Sequence, residues 1–79
     1  MSHVPHEIRE EFPEFAHVIA KLKVDNAHFL RLTEEYHLVN RQIHRVEIGD
    51  EHMSQFDEED LRKSRMRLKD EIYTILKAA

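Results

Sequence analysis

Between Phe15 and Val46, nine of ten successive heptad core positions are apolar. One register holds Phe15, Leu22, Phe29, Tyr36 and Ile43; the other holds Val18, Asp25, Leu32, Val39 and Val46. Asp25 is the single interruption. A stripe that repeats this way lies along one side of a helix and needs another helix to cover it. The pattern predicts a first helix from about Pro13 to about Glu47, about 50 Å long at the α-helical rise. Pro13 suits a first turn, where its missing N–H would be unpaired anyway, and Glu14 suits the positive end of the helix dipole. Gly49, the only glycine, follows the last stripe residue and can take the left-handed conformation that ends helices.

A connector from Ile48 to Phe56 leads to a second helix, expected over about 57–78. Its start is near Asp57, with Ser54 as the alternative cap. Asp57 to Asp60 form an acidic first turn, and Asp57 with Asp60 resembles a capping box. Glu58–Arg62 and Glu59–Lys63 are favourable i,i+4 pairs. Leu61, Leu68, Ile72 and Ile75 make the seam, flanked by Met66, Tyr73 and Leu76. Arg65 stands on the seam, where its stem can lie on apolar surface while the guanidinium reaches water. Residues 1–12 are a mixed lead-in, and 13–79 are expected to form a single helical-hairpin domain.

A connector this short favours an antiparallel pair. Counting from the turn sets Ile43 against Leu61, Tyr36 against Leu68, Leu32 against Ile72, and Phe29 against Ile75. The second helix then runs out opposite Asp25 and Asn26. Phe15, Val18, Ile19 and Leu22 are left beyond its end. Burying each is worth about 1.5–3 kcal/mol, so something should cover them. A second copy of the chain, another protein, or a local fold-back of Val4, Ile8 and Phe12 would each serve. The first two make these four residues a partner or dimer surface. Asp25 and Asn26 can fix register or oligomer state, mark a hinge, or sit harmlessly at the edge of the covered region.

Composition narrows the class. A chain of 79 residues with one glycine, two prolines and 35% charged residues suits one helical domain that often leans on oligomerisation. Without cysteine, disulfides and thiolate metal sites are excluded. No apolar run approaches the length of a membrane span, and the N-terminus lacks signal-peptide order. A cytoplasmic protein is expected, self-associating into a homodimer or small oligomer, with no membrane partner. The net charge of −4 argues against nucleic acid as the main partner.

Three stretches resemble a known family: Phe12-Pro13-Glu14-Phe15, Leu22-Lys23-Val24-Asp25-Asn26-Ala27-His28-Phe29, and Leu68-Lys69-Asp70-Glu71-Ile72. They are similar to the small bacterial YdcH-like proteins, a domain family of unknown function. The likeness runs from about Phe12 to Leu76. It implies a helical hairpin or coiled coil and supplies no catalytic residues. Residues 1–11 extend beyond the shortest members.

Chemistry is sparse. Among seven histidines, His37 and His44 share a face but lie about 10 Å apart along the axis, too far to share an ion. His17 with Lys21, and His28 with Arg31 and Leu32, offer no ligand pair. Met1-Ser2-His3 could chelate copper only with the terminal methionine retained. Histidines protonated along one helix would repel and make association pH-sensitive. Arg41, Arg45, Arg62, Lys63, Arg65, Arg67 and Lys69 could form a turn-proximal basic patch for RNA, the ribosome or another polyanion. Asp57 to Asp60 stand beside it, and no aromatic is interleaved for base stacking. No nucleophile elbow or phosphate loop is present, and Ser54 and Ser64 lack an evident base. Neither catalysis nor a cofactor is expected. A helical protein-interaction module is the leading reading, with a polyanion-binding accessory protein as the alternative.

Overall fold

The long apolar stripe does not fold as one helix. In the computed structural model, which describes residues 4–79, Asn26 adopts an extended conformation (φ −131°, ψ 102°) in the middle of it. The chain therefore runs as α1 (Ile8–Glu11), a 3-10 turn (Pro13–Phe15), α2 (Ala16–Asp25), α3 (Ala27–Glu47) and α4 (Gln55–Ala78). The all-α class stands, while the expected two helices become four among the described residues. Asn26 supplies the local means of the break. The short Asn side chain competes for backbone groups and favours caps over helix interiors. Here Asn26 Oδ1 accepts from the Phe29 amide at 3.0 Å, satisfying an orphan donor of α3. The longest dimension of the molecule is 38 Å, too short for the expected unbroken helix.

The other helix ends follow their sequence signals closely. Gly49 takes φ 79°; its amide donates to Val46 O at 3.1 Å and the Asp50 amide to Arg45 O at 2.8 Å. This pairing closes the C-terminus of α3 as a Schellman turn. Ser54 caps α4, its Oγ accepting from the Asp57 amide at 3.1 Å. The second helix thus starts at Gln55 rather than near Asp57. The weaker Asp57–Asp60 box is displaced by the hydroxyl cap one turn earlier.

Helices α3 and α4 form the most extensive contact in the fold. Arg65 of α4 reaches Asn40, while Arg62, nearer the turn, approaches Glu47. The partners ascend one helix as they descend the other, so the pair is antiparallel. Phe29, Leu32, Tyr36 and Ile43 are buried from α3, and Leu68, Ile72 and Leu76 from α4. Leu76, read as a flank, is more completely buried than Ile75.

The segment ahead of Asn26 folds back onto this pair. Ile8, Phe12 and Ile19 join the same core, with Phe15, Val18 and Leu22 packed against it. Ile19 is only 1% exposed. The expected uncovered extension is therefore corrected: α2 turns at Asn26 and lays its stripe on the chain's own core. Magnitudes explain the choice. Bending the helix sacrifices one or two backbone hydrogen bonds, each worth about 0.5–1.5 kcal/mol net. Leaving the stripe wet forfeits about 1.5–3 kcal/mol for each buried side chain. Phe12 completes the closure by stacking on Tyr73, with ring centroids 5.4 Å apart and an interplanar angle of 2°. The Phe15 ring meets both edge-on, and Lys69 Nζ lies 5.7 Å from the Phe12 centroid.

If residues 4–25 belong to one cooperative core, Phe12→Ala should cost about 3–5 kcal/mol in urea unfolding, the usual loss for a buried Phe. A loss below about 0.5 kcal/mol, the range of surface changes, would show that the segment is dispensable.

Candidate functional site

Polar groups fasten the fold-back. Tyr36 Oη donates to His6 O at 2.6 Å, and Asn40 Nδ2 donates to Pro5 O at 2.8 Å. Arg65 Nη1 donates to Asn40 Oδ1 at 2.9 Å. Asn40 is 1% exposed, so these partners replace the water its amide has lost. His6 holds a left-handed backbone (φ 64°), unusual for a residue with a side chain. Its carbonyl and that of Pro5 are thereby presented to α3. Farther out, Lys69 Nζ donates to Glu11 Oε1 at 3.0 Å and His37 Nδ1 meets Glu7 Oε2 at 3.0 Å. The bond from Lys69 holds the Glu11 carboxyl below its usual range, with the His6 ring 3.4 Å away adding to the effect. Burial, aided by the nearby Glu11 and Glu7 charges and opposed by Arg65, pushes the Tyr36 phenol up from 10 to about 12.

Four of the seven candidate basic residues, Arg45, Arg62, Arg65 and Lys69, are engaged by the chain's own acceptors. Arg62 donates to Glu58 at 2.9 Å and lies 3.8 Å from Glu47. Arg65 and Lys69 are engaged as above, and Arg45 lies 3.9 Å from Glu51. Arg41, Lys63 and Arg67 remain exposed without a charged partner among the described residues. Asp25 is exposed at the end of α2, beside the capping Asn26. Among the described residues no group of three His, Asp or Glu gathers to hold a metal ion, and no helix is long and apolar enough to cross a membrane. Met1-Ser2-His3 lies outside the described residues.

One feature was not legible as a site in the sequence. A shallow open cleft of about 580 Å³ lies between α1, the end of α2 and one face of α3. Ile8, Leu30, Thr33 and Leu38 line it together with the charged and polar Glu7, Arg9, Lys23, Glu34 and His37. Leu38 is 66% exposed and Leu30 37%. They are two turns apart, about 12 Å along the axis. The signal was present: Leu30 and Leu38 fall one and two residues after the seam positions Phe29 and Tyr36, on a side that the hairpin does not cover. Thr33, the only hydroxyl among the described residues lining the cleft, donates to Leu30 O at 2.8 Å within its own helix. Large apolar side chains are also exposed at the turn end, where Phe56 is 73% exposed and Ile48 59%.

Residues 29–76, which hold the α3–α4 pair, match the model of a family described as a protein of unknown function, DUF465, and the chain belongs to that family. The match begins after the break at Asn26. The lead-in, α1 and α2 thus lie outside it, including the Phe12–Phe15 phrase. No curated protein and no solved structure matches the chain.

The raised Tyr36 phenol has a consequence for stability at high pH. Between 10 and about 12 the folded chain keeps a proton that the unfolded chain releases. The stabilisation is complete below pH 10 and is lost as pH rises toward 12. Tyr36→Phe should cost about 1 kcal/mol at neutral pH through the lost bond to His6 O. It should also remove that share of the alkaline decline, as read from denaturant midpoints across pH. An unchanged decline would mean that Tyr36 is not the buried phenol described.

Proposed function

We propose that this chain is a non-enzymatic helical interaction module that receives the apolar edge of a partner protein in the cleft between α1 and α3. The exposure of Leu30 and Leu38 beside the buried Ile8 carries the reading. Two leucines two turns apart offer anchoring points at the spacing an amphipathic helix presents. The lining holds both signs of charge, so it can orient a partner without selecting a polyanion. Among the described lining residues the hydroxyl of Thr33 is turned to its own helix, and family membership brings no catalytic assignment. A cytoplasmic setting belongs to this reading and suits a cysteine-free chain. Packing of the antiparallel pair in coiled-coil fashion and assembly into a small bundle are its structural extension. The polyanion alternative rests on the basic residues near the turn. Internal pairing of Arg45, Arg62, Arg65 and Lys69 weakens it.

The test compares proteins cross-linked in cells to the wild-type chain and to Leu38→Lys, with and without nuclease. The reading expects nuclease-resistant partners that Leu38→Lys loses by about tenfold or more, the loss produced by about 1.4 kcal/mol. Thermal stability should be unchanged, because Leu38 is outside the core. Identical partners for both chains, or capture abolished by nuclease, would overturn it.

A further inference from the structure

The stripe that reads as one helix in the sequence and folds as two in the structure has a physical meaning of its own. Only Asn26 separates the two arrangements. Its backbone is satisfied on both sides, its amide donating to Leu22 O at 2.8 Å and its carbonyl accepting from the Leu30 amide at 3.0 Å. Neither proline nor glycine stands at the break, so Asp25-Asn26-Ala27 can continue as helix. In that form α2 and α3 merge, Leu22 and Phe29 lie on one continuous stripe, and residues 4–25 swing off their own core.

We infer that a second copy of this chain takes up the released segment, giving a closed dimer that exchanges residues 4–25 through Asn26. The occupant is specified by chemistry. The vacated face of α3 and α4 is apolar around Phe29 and Ile72, but it also carries Tyr36 Oη and Asn40 Nδ2, which must find acceptors when buried. The paired carbonyls of Pro5 and His6, followed by Glu11 for Lys69, satisfy them in order. A second copy supplies that set without new contacts, and the exchange is reciprocal, so it closes with twofold symmetry. The bent chain is held closed by the Asn26 cap and the straight one is favoured by unbroken helix. The capping side chain thus sets the balance between monomer and dimer. The inference is independent of the Leu30–Leu38 cleft, which exchange rebuilds with α1 from the other copy.

The test uses full-length variants. Asn26→Ala removes the cap and adds the best helix former. It should raise the dimer association constant by about tenfold or more in sedimentation equilibrium, a factor that one lost cap supplies. Asn26→Gly keeps a tolerated cap residue and resists helix continuation, and should remain as monomeric as the wild type. Should Asn26→Ala fail to fold, Asn26→Gln replaces it. A mixture of heavy-nitrogen-labelled and unlabelled dimers, refolded together, is then treated with a carbodiimide, which joins Glu11 to Lys69 across their ion pair. Mixed-isotope Glu11–Lys69 peptides support the exchange. A monomeric capless variant, equal dimerisation of Asn26→Gly, or same-isotope peptides alone in the dimer would each overturn it.

Discussion

A buried side-chain amide needs a partner for its oxygen and for its nitrogen, and Asn40 finds one on each of the two segments that flank α3. Its oxygen accepts from Arg65 of α4 and its nitrogen donates to Pro5 of the lead-in, so one α3 side chain fixes both neighbours. Losing either partner would leave a polar atom in the core at a cost of about 1–3 kcal/mol. Apolar burial supplies the larger attraction, but it is indifferent to a slide of one turn. Asn40, with Tyr36 one turn before it, converts a greasy seam into a single register.

The relation between the seam and the break shows what was readable in the sequence. Helix ends were legible because their causes are local: Gly49 at φ 79° and the Ser54 hydroxyl cap act over a few residues. The antiparallel pair was legible because a short connector joins two apolar stripes of helical spacing. Asn26, with Asp25, was legible as a polar break that could set register, form a hinge or mark an edge, with nothing local to choose among them. Whether an asparagine interrupts a helix depends on what each half gains elsewhere, and that gain comes from Ile8, Phe12 and Ile19 meeting residues far along the chain. Val4, Ile8 and Phe12, four residues apart, offered a fold-back as one possible cover, but nothing local chose it over a second copy or another protein. Likewise the basic residues clustered in sequence could not reveal that Glu11, remote in the chain, would engage Lys69.

Family membership sharpens the division at Asn26. The matched residues 29–76 hold the α3–α4 pair, and residues 4–28 lie outside the match yet complete its core. This chain therefore treats the hairpin as a platform that its own N-terminal segment covers on one face. Covering removes the stripe around Phe15 to Leu22 from solvent and creates the cleft in which Leu30 and Leu38 remain open. The cleft is thus shaped by the part of the chain outside the family match.

The central claim is that residues 4–25 and the hairpin unfold as one unit. Native-state hydrogen exchange tests it most directly. The Phe12 amide, bonded to Ile8 O, and the Asn26 amide, bonded to Leu22 O, report on the folded-back segment. Ile72, fully buried in α4, reports on the hairpin. The account predicts that all three amides exchange with the same opening free energy and the same denaturant dependence. Rapid, denaturant-independent exchange at Phe12 and Asn26 while Ile72 stays protected would contradict it.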